Sequence, residues 1–101
     1  MSKERKTIDA DGAPAAVGPY SHAVEANGLL FCSGQIPLDA ESGEIVGTTP
    51  AEQARRCLEN LQIVCRAAGA ELGDAVRCTV YMTDLSAFAE VNEIYAEFIP
   101  S

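Results

Sequence analysis

Positive charge is scarce in this sequence: seven lysines and arginines stand against fifteen aspartates and glutamates, for a formal net charge of −8. Affinity for a phosphate backbone rests on clustered Lys and Arg, so this balance argues against a nucleic-acid partner. Only the first six residues, with Lys3, Arg5 and Lys6, are basic. No run approaches the ~20 apolar residues that span a bilayer, and no apolar leader with a cleavage site follows the charged start. A cytoplasmic protein with no membrane partner is therefore expected. The four cysteines, Cys32, Cys57, Cys65 and Cys78, include no CxxC pair, and one histidine cannot complete a zinc set. They are expected as reduced thiols serving as small core residues, with no metal bound. Neither a P-loop nor a dinucleotide glycine fingerprint is present, so nothing calls for a bound nucleotide.

What is present suits one globular domain spanning residues 1–101, with 48% apolar and 22% charged residues and no low-complexity run. A chain of this size buries roughly 60 to 70% of its unfolded surface, a modest core that self-association would extend. YSHAVEA (20–26) and LLFCSGQI (29–36) read as strands around Asn27-Gly28, the pair best able to take the positive φ of a tight hairpin. The turn-rich, acidic stretch 37–47 reads as an exposed connection. Thr49-Pro50-Ala51-Glu52 has the features of a helix start, and Gly69 those of a left-handed stop after Ala68. Between them Ala54, Leu58, Leu61, Cys65 and Ala68 form one apolar stripe. Val76, Cys78, Val80 and Met82 alternate with polar residues or Tyr81, which predicts a further strand. Asp84 or Ser86 then caps a second helix with Phe88, Val91, Tyr95 and Phe98 inward, ended by Pro100. Hairpin, helix, strand, helix predicts an α+β domain, a mixed sheet with both helices on one face. Its other face must meet solvent or another subunit.

Chemistry-bearing residues are few. His22 would have to be the base of any Ser–His or Cys–His pair, with Ser33 or Cys32 as nucleophile, yet no orienting acid is identifiable. A surface or subunit-contact role is the favoured reading of it. Ser33-Gly34-Gln35-Ile36-Pro37 closes an apolar strand with residues that let a ligand approach the backbone, or else forms a simple bend. Glu90, Glu93 and Glu97 read as solubilising charges. Asn92, beside Val91 and Tyr95, would need hydrogen-bond partners if its amide were buried.

Taken in order, APAAVGPYSHAV, SGQIP, EQARRCLENL with AAGAELGD, and VRCTVYMTDLSAFAEVNEIYAEF resemble the RidA (YjgF) family of reactive-intermediate deaminases, from about residue 6 to residue 98. The resemblance implies a chorismate-mutase-like α+β subunit in a homotrimer, with helices outside and ligand clefts between subunits. It implies hydrolysis of small 2-imino acids to 2-keto acids and ammonia, with no cofactor. The substrate-binding residues it implies are Tyr20, Ser33, Gly34, Gln35 and Asn92, with Val17-Gly18-Pro19 aiming Tyr20. His22 falls where many relatives carry glutamine and is not a family catalytic residue.

Relatives continue past the second helix with a Pro-Ala-Arg segment and two more strands, which carry the arginine for the substrate carboxylate and a glutamate for water. Those positions would lie beyond Ser101, and none of Arg5, Arg55, Arg56, Arg66 or Arg77 matches the arginine. The expectation is a C-terminally truncated RidA-like domain, weak or inactive by itself. The alternatives are a non-catalytic module that binds small metabolites or partners at subunit clefts and, against the charge balance, a ribonuclease or translation inhibitor.

Overall fold

The computed structural model describes residues 5–16 and 18–99. Strands β1 (Lys6–Ile8), β2 (Ala23–Ala26) and β3 (Leu29–Cys32) precede helices α1 (Pro50–Ala67) and α2 (Phe88–Phe98). The strands lie in the order β1-β2-β3, antiparallel throughout, with Val24 opposite both Thr7 and Phe31. Asn27 and Gly28 make the hairpin turn at φ 55° and 78°. Two successive positive φ values give the turn whose twist matches that of the strands it joins.

Helix α1 begins and ends as its sequence dictates. Thr49 Oγ1 accepts from the Glu52 amide at 3.2 Å, and Glu52 Oε2 accepts from the Thr48 amide at 3.1 Å, so two otherwise orphaned donors are satisfied. At the other end Gly69 takes φ 81°. Its amide donates to Arg66 O and that of Ala70 to Cys65 O, the paired bonds of a Schellman stop. The contact that accompanies this motif is also present, since Ala70 packs against the cluster holding Cys65.

The helix buries two flanks. On one, Val64 packs with Ile8, Ala10, Ala13 and Ala23, joining α1 to the sheet and to the N-terminal loop. On the other, Leu58 and Cys65 meet Leu72 and the half-buried Ile94, Tyr95 and Phe98, joining α1 to α2. Residues alternate between the faces of a sheet, so with Ala23 turned inward Val24 and its partner Phe31 face out. Leu29 and Phe31 are accordingly 53% and 59% exposed. The α+β architecture with a helix-covered and an apolar uncovered face is thus established.

Several expectations need correction. Val76–Met82 forms no strand: among the described residues it joins no ladder, and Val76 and Tyr81 are each 93% exposed. A period-2 pattern selects a face but supplies no partner edge, and without one the segment makes no ladder. The mixed character expected of the sheet depended on this strand and is absent with it. Phe88, expected inside α2, is exposed, and Ile94 takes the contact with α1 instead. Cys32 is exposed at the end of β3, while Cys65 is buried as expected of a core thiol and Cys57 and Cys78 are half-buried. The cap is Asp84 rather than Ser86, but it opens a 3-10 turn (Leu85–Ala87) that leads into α2. The hydroxyl and amide of Ser86 hold the Asp84 carboxyl below the usual carboxylate range. Pro100 and Val17 lie outside the described residues.

Candidate functional site

The segment before β2 folds back on itself. Pro19 sits at the centre of a three-residue turn in which the Tyr20 amide donates to Gly18 O at 2.8 Å, and proline's fixed φ suits that position. A Cβ on Gly18 would stand 3.3 Å from both Cδ2 and Cε2 of Tyr20. The ring therefore lies over the glycine backbone, and a side chain there would push on it. Gly18 and Pro19 thus orient Tyr20, which remains 47% exposed.

Ser33 is tied to the same segment. Its amide donates to His22 O at 3.0 Å, continuing the β2–β3 ladder by one pair, and its hydroxyl donates to Ser21 O at 2.7 Å. Next along the chain, Gly34 is exposed and open space surrounds the place a Cβ would take. Among the described residues the amides of Gly34 and Gln35 have no backbone partner, which leaves two donors for a ligand. The bonds from Ser33 to Ser21 and His22 tie the Ser33-Gly34-Gln35 run to the chain segment that carries Tyr20. Asn92 stands apart: it is exposed on α2, a helix that packs chiefly on α1, and its side chain makes no hydrogen bond among the described residues.

Sequence reasoning misread one residue here and missed another. His22 is 5% exposed, not a surface residue. Its Nδ1 accepts from the Ala10 amide at 2.9 Å, so the proton is on Nε2, which donates to Pro14 O at 2.8 Å. With both nitrogens engaged, and Ser33 Oγ committed to Ser21 O, no Ser–His pair exists. Nor does Cys32 replace it as a thiolate: although the residue is exposed overall, partial desolvation raises its thiol, while burial raises Cys57 and pushes Cys65 up to about 12, with Cys32 adding to the effect on Cys65.

The missed residue is Asn60, the most buried polar side chain described at 0% exposure. Its Nδ2 donates to Ile36 O at 3.2 Å and to Leu38 O at 3.1 Å, and Arg56 Nε also reaches Leu38 O at 3.1 Å. The SGQIP segment is thereby held at one end by Ser33 and at the other by α1. The available signal was an asparagine, a poor helix former, in the middle of a long helix.

Charge is arranged away from this surface. Arg55 pairs with Glu97 at 2.7 Å, Arg56 with Asp39 at 3.8 Å and Arg66 with Glu71 at 3.3 Å, each a carboxylate of the same chain. One cleft, about 330 Å³ in volume, lies between Val46-Gly47 and the helices; Arg55 and Arg56 line it, and it holds none of Tyr20, Ser33, Gly34, Gln35 or Asn92. The family model described as Endoribonuclease L-PSP matches residues 10–101. The chain belongs to this family, the RidA (YjgF) family. Among its members, the RutC family protein y4sK of Sinorhizobium fredii is 48% identical over 91 residues, covering 90% of this chain and 72% of that one. The chloroplastic Reactive Intermediate Deaminase A of Arabidopsis thaliana is 38% identical over 100 residues, covering 99% of this chain and 54% of that one. The crystal structure of E. coli TdcF with bound serine, 43% identical, superposes with a TM-score of 0.86 over 92% of this chain and 72% of the other.

Proposed function

We propose that this RidA-family protein is a 2-iminobutanoate/2-iminopropanoate deaminase of the cytoplasm, acting as a homotrimer with its sites between subunits. Water adds to the imine carbon, its oxygen becomes the keto oxygen of the 2-keto acid, and the imine nitrogen leaves as ammonia. The carbon is already electrophilic, so the reaction needs orientation and no cofactor. The observation that carries this reading is the pairing of two segments: a ring oriented over Gly18, and a serine tied to the residue after that ring and followed by two amides with no backbone partner among the described residues. The exposed apolar sheet face, with Leu29 and Phe31, supplies the surface for assembly.

A carboxylate on the substrate calls for a bidentate arginine, and the arginines of this chain that form ion pairs are committed elsewhere. The family resemblance assigns that clamp, and the water-activating group, to the segment that follows the second helix in relatives. Fused to the remaining C-terminal segment of TdcF, the chain is expected to accelerate loss of enzymatically generated 2-iminobutanoate at least about tenfold over buffer, with little or no turnover by the unextended chain. Ammonia and 2-oxobutanoate release measure it, and a folded trimeric fusion no faster than buffer refutes the reading. The same ion-paired arginines favour a second reading, a module that binds small metabolites without turning them over. Thermal stabilisation of the unextended chain by 2-oxobutanoate, with no turnover by the fusion, would select it. The family description names a ribonuclease, but with a net charge of −8 this chain is not expected to cleave RNA in a parallel assay.

A further inference from the structure

We infer that His22 is a positioning residue, the brace that holds the wall formed by Tyr20 and Ser33. Its imidazole spans the loop that leads from β1 to β2, joining the Ala10 amide to Pro14 O while its own backbone carbonyl accepts from Ser33. Three points of the chain are thereby referred to one ring. Residues 10 and 14 are drawn onto residue 22, which leaves the intervening chain to close in the short turn that presents Tyr20. The brace acts in a dry place: His22 is 5% exposed, and Ala10, Ala13 and Ala23 around it belong to the core that includes Val64. A ring with one accepting and one donating nitrogen at opposite edges is what an amide N–H and a carbonyl on either side require. A buried side chain without those atoms would leave both backbone groups unpaired. Tyr20 itself takes no side-chain hydrogen bond among the described residues, and its ring is kept in place by the Gly18–Tyr20 turn and its fit over Gly18. Whatever holds the loop ends therefore holds the ring.

The functional part of this inference rests on the deaminase reading; the structural part does not. The test compares the 101-residue chain with His22→Leu, which keeps bulk but neither polar atom, and His22→Gln, which keeps a donor and an acceptor. Nuclear Overhauser contacts between the Tyr20 ring and the Gly18 α-protons report the aim of the ring, and titration with 2-oxobutanoate followed at the Gly34 amide reports binding. His22→Leu is expected to lose the contact and weaken 2-oxobutanoate about tenfold, while His22→Gln keeps the contact and binds within about twofold of the parent. If His22→Leu does not fold, His22→Asn, too short to bridge both groups, takes its place with the same expectation. A folded variant lacking the brace that keeps both the contact and the affinity overturns the inference, as does a folded His22→Gln that loses them. If the parent chain binds no 2-oxobutanoate, the titration is repeated on the TdcF fusion, where failure to bind counts against the deaminase reading, and the ring contact decides the role of His22.

Discussion

Asn60→Asp is expected to destabilise the protein by about 3 to 5 kcal/mol, read as a fall in the urea midpoint at neutral pH. The amide replaced is fully buried and gives both hydrogens to carbonyl oxygens, those of Ile36 and Leu38. A carboxylate there presents only acceptors to two acceptors, in a place where water cannot reach to solvate it. Asn60 Oδ1 has no hydrogen-bond partner among the described residues, so no donor there waits to compensate the charge. The pH dependence separates this cause from simple loss of contacts. Burial opposite carbonyls raises the folded-state pKa of the introduced carboxyl, so the folded form holds its proton where the unfolded form has released it. Stability is then greatest below the unfolded pKa and declines as pH rises through the folded one, so the deficit should shrink on acidification. Asn60→Leu carries no charge, should cost only about 1 to 3 kcal/mol, and should show no such pH dependence.

Leu72→Ala is expected to cost about 2 to 5 kcal/mol, with an unchanged dependence on denaturant concentration if unfolding stays two-state. Leu72 is 2% exposed and lies where α1 meets α2, in the cluster with Leu58 and Cys65 and against Ile94, Phe98 and Ile99. Its amide donates to Gln62 Oε1 at 2.8 Å, so backbone and side chain both point into α1. Truncation removes the apolar group that α2 closes upon, and the neighbours are fixed to a helix and cannot collapse fully into the space. Equilibrium urea unfolding followed by far-ultraviolet circular dichroism checks the size of the effect. Phe88→Ala on the exposed face of α2 is the control, at within about 0.5 kcal/mol of the parent.

Features that depend on near neighbours were readable from the sequence. The limits of α1 follow from Thr49, Pro50, Glu52 and Gly69, and the hairpin from Asn27-Gly28, because caps and tight turns are settled within a few residues. Features that depend on a distant partner were not. Val76–Met82 has a strand's pattern, but a ladder requires an edge from elsewhere. The places of His22 and Asn60 were not readable because their partners, Ala10 and Pro14 for one and Ile36 and Leu38 for the other, meet them only after the chain has folded back. Both are inside because backbone groups that enter the core must be paired. Tyr20, with Gly18 and Pro19 aiming it, came from a resemblance of motifs, and spacing alone left Ser33-Gly34 open between a ligand contact and a bend.

The run from Val76 to Met82, which joins no ladder among the described residues, has a consequence for proteolysis. An endoprotease binds its substrate as a single extended strand, pairing with backbone groups that must be free of other partners. Helix and hairpin withhold their peptide bonds from such a cleft, whereas this run lies in neither and carries the exposed Arg77. Whatever covers the run would therefore shield those bonds from cleavage.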